Sequence, residues 1–180
     1  QSFNINSGEH THFEQPTGGV ALNRISAAQG ASQIYGMLTA TGQIILMNPA
    51  GVYFGAGSYV NVGGLIATTG GLSDSDFLSG NYHFNNISPD ASVINAGTII
   101  AAQHGLVALI GGNVENNGLI KAESGRVVLA SGSAATVTFA GNDLIGFAVE
   151  GGNHASINNT GTLSANGGHI LVSAKTASGI

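Results

Sequence analysis

Six histidines are the first residues to weigh for chemistry. His10 and His12 are two apart, so a strand would set both imidazoles on one face, a spacing that suits Zn²⁺ or Ni²⁺. No third or fourth ligand can be identified beside them, and the pair reads as exposed polar residues on a terminal strand. His83, His104, His154 and His169 stand alone in the sequence. Asp74, Asp76 and Asp90 form the one acidic cluster. A Ca²⁺ loop needs oxygens at closer, regular spacing with a glycine at its bend, and the tandem glycine–aspartate nonapeptide of Ca²⁺-binding solenoids is missing. These aspartates read as a solvated tip. No metal ligand, cofactor or catalytic residue is assigned.

Other chemistries lack their residues. No Gly-Lys-Ser/Thr phosphate loop is present, and Gly55-Ala56-Gly57 has neither a third glycine nor a helix after it. No Gly-x-Ser-x-Gly elbow offers an activated serine. The absence of cysteine removes disulfides, thiol catalysis and thiolate zinc sites together. Two glycosylation sequons, at Asn86 and Asn158, carry little weight in so asparagine-rich a chain. The cations number four, Arg24, Lys121, Arg126 and Lys175, and the net charge is −5. No basic stripe can neutralise nucleic-acid phosphates or anionic lipid.

Polysaccharide-cleaving β-proteins use carboxylate clusters with an Arg or Lys on one face, and that set is not visible among these scattered charges. The chain is therefore read as a non-enzyme. An adhesin module that binds a host receptor or glycan is the alternative class.

Composition then points to the elements that position these residues. Charged residues are 7%, hydrophobic residues 43% and glycines number 29. An average domain carries about 25% charged residues, so the long charged helix formers are nearly missing here. Polarity comes instead from Asn, Ser, Thr and Gln, which suit turns and stacked side-chain ladders. The 180 residues read as one domain able to bury a core.

An internal repeat organises the chain. The register hydrophobe-x-Asn-x-Gly-x-hydrophobe-x-Ala fits four times, with Asn61 and Gly63, Asn95 and Gly97, Asn116 and Gly118, and Asn159 and Gly161 as its polar pairs. A Gly-led apolar run follows most copies, at Gly105–Leu109, Gly125–Leu129 and Gly168–Val172, with an upstream version at Gly42–Leu46. Period-2 alternation in short runs, without helical spacing, specifies strands. A unit of about twenty residues cannot bury its own apolar face, so units must stack, each adding parallel rungs roughly 4.8 Å apart. The expected fold is all-β, a parallel β-helix. At its corners stacked Asn amides can hydrogen-bond along a column and Gly can turn the chain.

Three segments break the repeat. Residues 1–33 are expected as N-terminal cap strands below coils that fill 34–180. Residues 70–92 are expected to project as a hairpin turning at Ser79-Gly80-Asn81. Residues 133–152 are expected as a second hairpin turning at Gly141-Asn142-Asp143. Tyr82 and Phe84 should pack down on the coil. The chain is expected to be a piece of a longer solenoid.

The segment GQIILMNPAGVYFGAGSYVNVGGLIATT, FLSGNYHF, the Asn-x-Gly pairs and the opening FNINSGEHTHFEQPTGGVALNRI together resemble the N-terminal secretion domain of two-partner-secretion exoproteins, the filamentous-haemagglutinin type. The resemblance spans nearly the whole chain. The family motif Asn-Pro-Asn-Gly falls on Asn48, Pro49, Ala50 and Gly51, with Ala50 replacing the second Asn. The resemblance implies a right-handed β-helix with two extra-helical hairpins, and transit of the periplasm in a Gram-negative bacterium. It also implies a monomer recognised at Asn48–Gly51 by an outer-membrane β-barrel transporter with POTRA domains, and release outside or at the cell surface. A host receptor would be a partner of the full-length exoprotein.

Overall fold

Each turn of the chain lays one strand on each of three parallel sheets. The computed structural model describes residues 1–139, 148–151 and 154–176. Face A stacks Ser32–Ile34, Val52–Phe54, Ser92–Asn95, Asn113–Asn116 and Ser156–Asn159. Face B stacks His10–Phe13, Met37–Ala40, Tyr59–Val62, Thr98–Ala101, Leu119–Ala122 and Thr162–Ser164. Face C stacks Val20–Arg24, Gln43–Met47, Gly64–Thr68, Leu106–Gly111, Arg126–Ser131 and His169–Ala174. The chain runs A, B, C and rises one rung, which makes a parallel β-helix. Residues 1–33 add a first rung beneath: Ile5 bridges Ile34 in parallel, and His10–Phe13 and Val20–Arg24 pair with the strands above.

Alternation decides which side chains fill the coil. Leu38, Val60, Ile99 and Ile120 from face B, Val93 and Val114 from face A, and Leu46, Leu65, Val107 and Val127 from face C form one buried core. Face C is apolar on its other side as well. Ile45, Ile66, Ala108, Ile110 and Val128 point outward into a second core with Leu72, Tyr82, Phe84, Ala135 and Val137. Covering both sides explains why face C reads as continuous apolar runs while faces A and B alternate.

The second core is made by two insertions, both leaving the coil at the corner between faces C and A. Tyr82–Phe84, Ala134–Val137 and Ala148–Glu150 form a three-stranded antiparallel sheet with Ala134–Val137 in the middle. Residues 134–137 and 148–150 pair as the two arms of a hairpin. Its expected turn at residues 141–143 lies outside the described residues.

The hairpin expected at Ser79-Gly80-Asn81 is corrected. Residues Asp74–Ser79 form a short α-helix, and Tyr82–Phe84 pairs with the distant Ala134–Val137 instead of with its neighbour. The cause is local. Ser73 caps the helix, its Oγ accepting from Asp76 N at 3.1 Å and donating to the Asp76 carboxylate at 2.7 Å, while Asp74 and Asp76 sit in the first turn. Gly80 closes the helix in the left-handed region at φ +72°. Gly71 and Asn85 bridge antiparallel across the base of the insertion, and Arg24 ties the helix down through Asp74 at 2.6 Å.

Candidate functional site: the asparagine corners

Asn48 begins the turn from face C to face A, and its side chain is wholly buried. Its Nδ2 donates down to Gly30 O at 3.0 Å and Ser32 Oγ at 3.1 Å, and its Oδ1 accepts from Ala50 N at 2.9 Å. Its own N–H donates up to Thr68 O at 3.0 Å, and Gly51 N donates back to Asn48 O at 2.9 Å. One residue thus joins the rung below, its own turn and the rung above. Pro49 needs no partner for an N–H, which suits its exposed position in the turn. Gly51 has φ +120°, and a Cβ there would sit 2.8 Å from Ser92 O, so the turn requires glycine twice over. Ala50 lines a shallow groove of about 300 Å³ with Gln33, Tyr53 and Asp90. An asparagine at position 50 would reach into that groove.

The second set lies at the turn from face A to face B. Asn95 Nδ2 donates to Asn116 Oδ1 at 2.8 Å, and Asn116 Nδ2 donates to Asn159 Oδ1 at 2.8 Å. This is a three-rung amide ladder running up the coil. Beside it Gly97, Gly118 and Gly161 stack backbone on backbone: a Cβ on Gly118 would lie 2.0 Å from Gly97 O, and one on Gly161 would lie 2.1 Å from Gly118 O.

Asn61 and Gly63 do not belong to that corner. Asn61 is exposed on the outer side of face B, registered with Thr39 and Ile100. Gly63 stacks at the next corner, between Gly42 and Gly105. The repeat falls one strand late in this copy because Gly55-Ala56-Gly57-Ser58 takes four residues where the turns at 35–36, 96–97, 117–118 and 160–161 take two. The residue that does align with Asn95 is Phe54, and below it Ile34. The column is therefore apolar in the lower rungs and amide in the upper ones. Gly30, Ser32 and Thr68, which engage Asn48, had no local signal in the sequence, because their pairing crosses rungs.

The family model for the TPS secretion domain matches residues 1–180. The chain belongs to the TPS secretion domain family. A heme/hemopexin-binding protein of Haemophilus influenzae strain Rd is 35% identical over 183 residues, covering 97% of this chain and 20% of the relative. A second Haemophilus influenzae protein of that description is 41% identical over 98 residues, covering 54% of this chain and 10% of its own length. The chain thus spans a fifth or less of the curated relatives it matches. The crystal structure of the HMW1 secretion domain from Haemophilus influenzae superposes with a TM-score of 0.80 at 29% identity, over 95% of this chain and 46% of that one. A TPS domain is a part of a two-partner-secretion exoprotein. It is secreted in Gram-negative bacteria with an outer-membrane transporter as its general partner, and the family is one of secretion rather than of catalysis.

Proposed function

We propose that this TPS domain addresses its exoprotein to the cognate transporter in the periplasm, and that the Asn48-Pro49-Ala50-Gly51 corner acts in two successive states of the chain. Before folding, the transporter's POTRA domains read an extended segment that includes the turn, by adding a strand to an exposed sheet edge. After passage, Asn48 withdraws from solvent and locks the corner. The observation that supports this division is the complete burial of Asn48 with all its amide atoms engaged inside the coil. A folded domain presents only Pro49 and Ala50 of the motif to a partner.

The folded domain then nucleates the coil that follows. Apolar side chains recur in register up the stack, with Ile170 and Val172 over Val127 and Leu129, so each rung offers its columns to the next. Each such side chain is worth roughly 1.5–3 kcal/mol when fully covered, before chain-ordering entropy is subtracted, which biases transport outward without ATP at the outer membrane. Binding of a host receptor would belong to the rest of the exoprotein.

The test is export of an Asn48→Ala/Pro49→Ala double variant alongside Asn95→Ala/Asn116→Ala. Both weaken the folded coil, so a recognition role predicts that export falls further for the first pair at matched loss of stability. Equal export of the two would remove the turn from recognition and leave it a structural corner.

A further inference from the structure

On the outer side of face B, the sequence-spaced pair His10 and His12 meets a third residue that no sequence pattern announced. His10 Nε2 and His12 Nδ1 each lie 2.7 Å from the same atom, Thr39 Oγ1, contributed by the rung above. The two rings stand 6.2 Å apart, edge to face, and both side chains are exposed. His12 Nε2 lies 3.2 Å from a carboxylate oxygen of Glu14. We propose that His10 and His12 form an open, surface binding site for a divalent transition-metal ion, Cu²⁺ in first place, with Glu14 orienting His12.

Glu14 accepts a hydrogen bond from His12 Nε2–H, which selects the tautomer whose Nδ1 carries the lone pair toward Thr39. A carboxylate behind a metal-binding imidazole is the usual outer partner of such ligands, and it fixes the ring's orientation. The hydroxyl of Thr39 now occupies the point on which both nitrogens converge. Rotation of the Thr39 side chain about χ1 vacates that point, and small turns of the two exposed imidazoles then bring both nitrogens to coordination distance from an ion there, with water filling the remaining positions. No cluster of three or more His, Cys, Asp or Glu exists among the described residues, so the site is a two-imidazole one. Imidazole with oxygen and water ligands suits Cu²⁺, and among divalent first-row metals Cu²⁺ binds such donors most strongly. Binding requires both imidazoles unprotonated, so affinity falls on acidification.

The experiment titrates the 180-residue chain with Cu²⁺ alone, read by calorimetry and electron paramagnetic resonance. The expected result is one saturable site with two imidazole nitrogens on copper. His10→Ala and His12→Ala should each weaken it by about tenfold or more, and Glu14→Gln by about tenfold. Circular dichroism of the variants confirms an intact coil, since both histidines are exposed. Undiminished binding by the His10→Ala/His12→Ala double variant, a single nitrogen on copper, or no saturation below millimolar Cu²⁺ would each overturn the proposal.

Discussion

Asn116 stands in the middle of the amide ladder, giving to Asn159 and receiving from Asn95. Replacing it leaves Asn95 Nδ2 short of its best acceptor inside the coil, where an unmade hydrogen bond costs about 1–3 kcal/mol per buried group. Asn116→Ala should therefore lose about 2–3 kcal/mol in urea unfolding. Asn61→Ala, exposed on face B, should change stability by less than about 0.5 kcal/mol. The contrast tests the corner assignment directly, since the repeat alone gave both asparagines the same role. Gly118→Ala should cost more than either, because its Cβ would meet the Gly97 backbone, which cannot move without parting two rungs.

Ladder hydrogen bonds join the insertions to each other, and apolar side chains pack them onto face C. Phe84 is fully buried between the antiparallel sheet and face C, so Phe84→Ala should cost about 3–5 kcal/mol in thermal or denaturant unfolding. Tyr82 packs edge to face on Phe139 with centroids 5.4 Å apart, and burial raises its phenol above the ordinary 10.0. A raised folded value means its contribution is present in full below pH 10.0 and is lost as pH rises through the folded value. Alkaline unfolding above pH 10 should therefore be milder in Tyr82→Phe, as read by circular dichroism against pH.

The coil was legible because period-2 alternation and Gly-led apolar runs are local signals, whereas the cover on the outer side of face C comes from distant insertions and was not. The asparagine column was legible for Asn95, Asn116 and Asn159 because their turns are of equal length. It failed at Asn61, where one longer turn shifted the phase. The helix Asp74–Ser79 had its caps in plain view at Ser73 and Gly80, but the Ser-Gly-Asn tripeptide also fits a hairpin turn. The pairing of Tyr82–Phe84 with Ala134–Val137 joins segments about fifty residues apart, and no local pattern carries it. The same holds for the Asn48 contacts.

At the scale of the molecule, a low-charge, cysteine-free coil suits a chain that crosses a compartment unfolded and orders itself afterwards. The family match over the whole chain makes secretion its task, and the finer claim is that a cognate transporter recognises it. The measurement that tests this most directly is release of the chain into the medium by a Gram-negative host, with and without the cognate two-partner transporter co-expressed. The account predicts protein in the medium only with the transporter, and folded once there. Equal release in both strains, or retention of unfolded chain in the periplasm despite the transporter, would contradict it.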